Sequence, residues 1–157
     1  MTYLIVDDSS VMRMVIKELL ANHCGAKQSD MHEASCGIEA IRKYKLLQPD
    51  LVLLDIFMPC MGGKEVVIEL LKFDAGAKII MCTSAAEKKD VLDCIQAGAL
   101  DYITKPPVRK RFLAAVLKAL GNVLSVDPKE AAEKEASKQA GMPVGEKPET
   151  LAKPPGV

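Results

Sequence analysis

Neither sign of charge predominates in this chain: 21 lysines and arginines stand against 21 aspartates and glutamates. That balance excludes a broad electrostatic footprint for nucleic acid or an anionic membrane. No apolar run approaches the roughly 18 residues a membrane span needs. The start, Met1-Thr2-Tyr3, leads straight into a strand-like segment with no basic stretch ahead of an apolar one, so no signal peptide is expected. The five cysteines, Cys24, Cys36, Cys60, Cys82 and Cys94, include no C-x-x-C pair. This argues against a disulfide framework or zinc site and predicts reduced thiols in a cytoplasmic protein. His23 and His32 fit no metal-ligand spacing and read as surface or element-edge residues. No G-x-G-x-x-G or Walker sequence follows the first strand, which disfavours dinucleotides and nucleoside triphosphates.

What is present is a chain of strands that end on chemistry. The run Leu51-Val52-Leu53-Leu54 reads as a strand buried on both faces. It ends on Asp55, and Pro59 with Gly62-Gly63 forces a loop after it. Tyr3 to Val6 is a similar strand ending on Asp7-Asp8. Ser9-Ser10 then cap a helix whose apolar positions are Val11, Met12, Val15, Ile16, Leu19 and Leu20, closed at Cys24-Gly25. Ser29 to Ala34 reads as a weak second strand. Gly37 to Leu47 reads as a helix with Ile38, Ile41, Tyr44 and Leu47 on one face. Gly63 to Phe73 is a third helix with Val66, Val67, Leu70 and Leu71 inward. Ala77 to Cys82 is a fourth strand ending on Thr83-Ser84, and Ala86 to Ala97 a fourth helix. Leu100 to Thr104 is a fifth strand ending on Lys105-Pro106-Pro107. Arg109 to about Leu120 is a fifth helix, apolar at Phe112, Leu113, Val116, Leu117 and Leu120.

Five alternations with short connections predict an α/β sandwich: a parallel sheet covered on both faces, flavodoxin-like, in order 2-1-3-4-5. At 157 residues, 49% of them apolar, the chain can hold one such domain, expected over 1–121. Over 122–157 the composition turns to Lys, Glu, Ala and proline. Asp127-Pro128-Lys129-Glu130 suits the start of a helix over 128–140, and Pro143, Pro148, Pro154 and Pro155 predict a disordered or polyproline-like end.

An acid alone at a strand end caps a loop as readily as it does chemistry. Here every central strand end carries a group of use. The expected order makes strands one and three neighbours, so Asp7, Asp8 and Asp55 converge. At about 4 Å and an effective dielectric near 20, each like-charged pair costs roughly 4 kcal/mol. Such a cluster needs a cation or a shared proton, and an all-oxygen donor set with room for water suits Mg2+ better than zinc. Lys105 supplies a point charge and Thr83 a hydroxyl. That set suits a phosphoryl group, neutralised by metal and ammonium while a carboxylate attacks in line.

The motif set Val6-Asp7-Asp8, Asp55 with Met58-Pro59 and Gly63, Thr83-Ser84-Ala85, Ala97-Gly98-Ala99, Tyr102 and Lys105-Pro106 resembles the receiver domain of bacterial response regulators, most of all the stand-alone chemotaxis type. The resemblance covers residues 1 to about 121. It implies that Asp55 accepts a phosphoryl group from a histidine kinase. It also implies that Asp8 and Asp55 bind Mg2+ directly, Asp7 largely through water, and that the carbonyl of Phe57 completes the metal shell. Lys105 would pair with the phosphoryl group and Thr83 would move to hydrogen-bond it. Tyr102 would turn inward as Thr83 moves, reshaping the face of the fourth helix, fifth strand and fifth helix for a downstream protein. The Lys105-Pro106 bond would be cis. A phosphatase that resets the switch belongs to the same expectation; monomer and phosphorylation-dependent dimer both stay open.

Two features depart from the family pattern. Pro107 replaces a usual large apolar residue. Phe57 and Ala85 replace the polar side chains that often tune self-dephosphorylation by orienting water, which predicts a long-lived phosphorylated state. Other function classes fit less well. An aspartyl-phosphate phosphatase needs a second acid where Phe57 stands. A DNA-binding regulator needs a recognition module for which the neutral, proline-rich tail is unsuited. A flavodoxin-like electron carrier needs a phosphate-binding loop after strand one. Within the switch class, a phosphorelay intermediate and a plain interaction module are the alternatives to a chemotaxis output. Met12, Met14, Met58 and Met61 read as gap-fillers.

Overall fold

The computed structural model describes residues 1–84 and 88–121. The expected tail, with its helix over 128–140, lies outside the described residues, as does Ala85. Five strands, β1 (Tyr3–Val6), β2 (Met31–Ala34), β3 (Leu51–Asp55), β4 (Ile79–Thr83) and β5 (Asp101–Thr104), form one sheet in the order β2-β1-β3-β4-β5. All pairs are parallel, with Val6 beside both Ala34 and Leu54, and Asp55 beside Cys82. The expected order is borne out. The three central strands are buried along their whole length while the edges β2 and β5 are only partly so. This is why the central runs are unbroken apolar stretches and the edges carry His32, Glu33 and Asp101.

Five helices cover the sheet: α1 (Ser10–Cys24), α2 (Gly37–Leu47), α3 (Gly63–Phe73), α4 (Lys88–Ala97) and α5 (Arg109–Ala119). Strand residues alternate between two cores. Leu4, Val6, Val52, Leu54, Ile79 and Met81 pack with α2, α3 and Cys94 of α4. Tyr3, Ile5, Leu51, Leu53, Ile80 and Ile103 pack with Ile16 and Leu20 of α1 and Phe112, Ala115 and Val116 of α5. Ser9 caps α1 by accepting from the Met12 amide at 3.3 Å, and Gly25 closes it in the left-handed region at φ 67°.

The structure corrects several element edges and faces. Residues 28–30 form a 3-10 turn, so β2 starts at Met31 rather than Ser29; the Asp30 carboxylate accepts the Lys27 amide there and holds a turn. Strand β4 runs from Ile79 to Thr83, and β5 starts at Asp101 rather than Leu100. Ile38 and Val11 point outward, 61% and 60% exposed. On α2 the buried stripe is Gly37, Ala40 and Tyr44, with Ile38 about a quarter turn beyond it. Met14 is likewise exposed, while Met12, Met58 and Met61 pack against the cores. Helix α5 starts at Arg109, two residues past Pro107, with Val108 as its N-cap.

The β3–α3 connection shows what Gly63 is for. Its φ is not positive; the constraint is space. A Cβ there would lie 2.3 Å from the Asp55 carbonyl oxygen and 2.9 Å from Ile56 Cα, and its amide donates to the Ile56 carbonyl at 2.8 Å. The helix start is thus pressed against the strand end that carries Asp55. Gly63→Ala is expected to destabilise the domain by about 1–3 kcal/mol through backbone displacement, read as a lowered urea midpoint at unchanged slope; an unchanged midpoint would show that the close approach is not a constraint.

Candidate functional site

Each side chain of the pocket is delivered by the end of a strand. Backbone bonds fix where each strand stops. The Asp7 amide donates to the Ala34 carbonyl at 3.1 Å, the Ile56 amide to Cys82 at 3.3 Å, and the Lys105 amide to Thr83 at 2.6 Å. The turn after β1 closes on itself, with the Ser9 amide donating to Asp7 Oδ1 at 2.9 Å.

The three carboxylates converge as the strand order predicts: Asp7, Asp8 and Asp55 each place an oxygen within 4.8 Å of the others. Asp7 and Asp55 are buried, and Asp8 is exposed at the mouth. Lys105 joins them. Its Nζ lies 2.6 Å from Asp7 Oδ2 and 2.9 Å from Asp55 Oδ2, with all three side chains at least nine-tenths buried. Asp55 Oδ1 accepts the Phe57 amide at 3.3 Å. The Lys105 ammonium, 2.6 Å away, is the partner of the buried Asp7 Oδ2. Three acids facing one ammonium leave an excess of two negative charges when all are ionised. The donor atoms are all carboxylate oxygens, and that excess fits a hard divalent cation.

The charges pull on one another. Burial pushes the Asp55 carboxyl above the usual carboxylate range; Lys105 and the Phe57 amide draw it back without cancelling the effect, and Asp7 adds to the rise. For Lys105 burial opposes the charge, but the two carboxylates outweigh it and hold the ammonium above its ordinary value. Cys82, beside Asp55 in the sheet, is buried and its thiol is pushed up to about 12, so it stays protonated and takes no part as a nucleophile.

Thr83 ends β4 with its hydroxyl buried and unpartnered among the described residues. An orphaned buried hydroxyl is costly, and here it sits on the strand whose carbonyl anchors Lys105. Phe57 is 51% exposed and has no group to orient water. Tyr102 is half-buried on β5 and packs against the α2–α3–α4 core. Arg111 holds it from α5: the guanidinium stacks on the Tyr102 ring at 5.5 Å, donates to the Tyr102 carbonyl at 2.8 Å, and pairs with the buried carboxylate of Asp101. The Lys105–Pro106 bond is cis.

Sequence reasoning missed Arg111 with Asp101, and also Arg13, whose guanidinium donates to the Asp7 carbonyl at 2.7 Å. Basic residues on amphipathic helices ordinarily face solvent. The one available signal is the pairing of acids on the edge strands, Glu33 and Asp101, with bases on the helices beside them.

Comparison with known proteins places this geometry. Residues 3–117 match the family described as response regulator receiver domain. The chain is 45% identical over 117 residues to the chemotaxis protein CheY of Bacillus subtilis, covering 74% of this chain and 95% of that protein. It is 42% identical over 115 residues to CheY of Thermotoga maritima, covering 73% and 93%. Among solved structures, a CheY-like receiver domain protein of Methanospirillum hungatei superposes with a TM-score of 0.68 at 28% identity, over 85% of this chain and 97% of that one. The CheX-CheY-BeF3-Mg complex of Borrelia burgdorferi matches at 0.63 and 33%, over 74% and 87%.

The raised Asp55 carboxyl gives a test with a definite sign. In the pH window above the unfolded carboxylate value the folded state holds more protons than the unfolded state, so this group's contribution to stability falls as pH rises through the window. Asp55→Asn is therefore expected to melt higher than the parent in metal-free buffer near neutral pH, with the gain shrinking as the buffer is brought below the ordinary aspartate range. Differential scanning calorimetry across pH checks it; a variant that melts lower than the parent at neutral pH would contradict the assignment.

Proposed function

This chain belongs to the response regulator receiver domain family, and on that premise we propose that it is a cytoplasmic phospho-switch whose Asp55 takes a phosphoryl group from a phosphohistidine of a kinase. The observation that carries the reading is the bridge from Lys105 to both Asp7 and Asp55 inside a three-carboxylate pocket. A divalent cation would balance the excess of two negative charges that three acids leave round one ammonium.

In the proposed reaction a carboxylate oxygen of Asp55 attacks phosphorus in line. The bond to the histidine nitrogen breaks, and the imidazole leaves with its electron pair. Mg2+, held by Asp8 and Asp55, by Asp7 largely through water and by the Phe57 carbonyl, would supply neutralisation of the phosphoryl oxygens. Lys105 remains protonated and pairs with one phosphoryl oxygen, and the unpartnered Thr83 hydroxyl donates to another. The rise in the Asp55 value works against attack in the metal-free protein, because the nucleophile must be ionised, so the cation also readies the acid.

The output is a conformation. Thr83 drawn toward the phosphoryl group vacates space that Tyr102 turns into, reshaping the α4–β5–α5 face that a downstream partner reads. That partner, the kinase and a phosphatase of the CheX kind complete a chemotaxis-type circuit. The Borrelia burgdorferi complex supports the last of these by analogy. Residues 1–121 are taken as the receiver and 122–157 as an appended tail. Phe57 speaks against a hydrolase, since it offers no acid to protonate a leaving group.

Incubation with acetyl phosphate and Mg2+ is expected to add one phosphoryl group by intact-mass analysis, and Asp55→Asn or chelation of the metal to abolish it. Addition that persists in Asp55→Asn would refute the assignment of the acceptor. The same assay gives the lifetime. With Phe57 unable to orient water, Phe57→Asn is expected to speed loss of the phosphoryl group by at least about tenfold, a barrier change of about 1.4 kcal/mol. Loss from the parent within seconds, without added phosphatase, would contradict the proposed role of this position.

A further inference from the structure

The acids of the pocket are not held by the sheet alone. Asp7 and Asp8 share a peptide bond, and the orientation of that peptide sets how far apart their carboxylates stand. Its oxygen, the Asp7 carbonyl, accepts from the guanidinium of Arg13 at 2.7 Å. Arg13 is itself fixed, its Nε donating to Glu33 Oε2 at 2.8 Å. Glu33 lies on the edge strand β2 and is held a second time by Lys17, while Lys43 of α2 donates to its carbonyl. Arg13 is 16% exposed and Lys17 20%, so neither head is simply solvated. One planar cation therefore ties three elements together, β2, α1 and the turn after β1. Its fork geometry reaches a carboxylate and a carbonyl at once, which a lysine cannot do.

The geometry points to Arg13 as a positioning residue that sets the spacing of the Asp7–Asp8 acid pair for the cation, with Glu33 as the anchor that aims it. The inference rests on the reading of the pocket as a Mg2+ site. Arg13 touches no ligand oxygen of the metal; it acts through the peptide between two of the residues that would bind it. Lys17 first and then Arg13 hold the Glu33 carboxyl below the usual carboxylate range.

That arrangement gives the test a sign that separates positioning from charge. A cation near a metal site repels Mg2+, so removing Arg13 as a mere charge would tighten binding or leave it unchanged. Removing it as a positioner loosens the acid pair and weakens binding, by about tenfold on the scale of residues that orient metal ligands. Titration calorimetry of Mg2+ into the full chain reads this directly, with circular dichroism confirming the fold at the same temperature. Arg13→Met is expected to raise the Mg2+ Kd about tenfold. Arg13→Lys, which keeps the charge and a foldable chain, should raise it by a similar factor, and Glu33→Gln by less. Equal or tighter Mg2+ binding in both Arg13 variants would overturn the inference while leaving the parent's site intact. Failure of Mg2+ to bind the parent would overturn the reading beneath it.

Discussion

A single ammonium carries the architecture of this pocket. Lys105 Nζ sits 2.6 Å from Asp7 and 2.9 Å from Asp55, in a place where two carboxylates would otherwise repel with little water to screen them. Removing this ammonium would cost about 3–5 kcal/mol, because the two buried carboxylates would be left uncompensated. The pocket is nevertheless left with more negative than positive charge, and burial first, with Asp7 adding to it, raises the Asp55 carboxyl above the usual carboxylate range. A cation arriving beside such a buried acid would favour its ionised form.

The rest of the fold keeps that lysine and those acids in register. Parallel strands with short connections bring the ends of β1 and β3 side by side, and the Lys105 amide on the Thr83 carbonyl fixes the end of β5 against that of β4. Gly63 lets α3 start against the Asp55 carbonyl. On the far edge, Arg111 clamps Tyr102 by its ring and its carbonyl while pairing with Asp101. Any movement of the Tyr102 ring therefore disturbs its contact with Arg111 of α5.

Much of this was legible in the sequence, for a definite reason. The three central strands are buried on both faces, so their apolar runs are unbroken, and the polar residue that ends each run stands at the carboxyl end of the sheet. That alone brings Asp7, Asp8 and Asp55 together once the order is known. What stayed hidden depends on three-dimensional adjacency. Val11 and Ile38 sit at the margin of their helical stripes, where apolar identity does not decide the face. The 3-10 turn at Gln28–Asp30 carries turn-forming residues in Ser29 and Asp30, and the strand begins only with the apolar Met31. The close approach at Gly63 looks like an ordinary helix-breaking signal. Arg13 finds Glu33, and Arg111 finds Asp101, across different elements, and nothing in the local pattern marks these bases as different from solvated ones.

The central claim is that the Asp55 carboxyl is strained by burial beside Asp7, restrained by Lys105, and relieved by a divalent cation. The most direct measurement is the pH titration of the Asp55 side-chain carboxyl carbon by NMR, in metal-free protein and again in saturating Mg2+. The account predicts a midpoint above that of an ordinary aspartate without metal and a clear fall when Mg2+ is added. A midpoint at or below the ordinary value that ignores Mg2+ would contradict it.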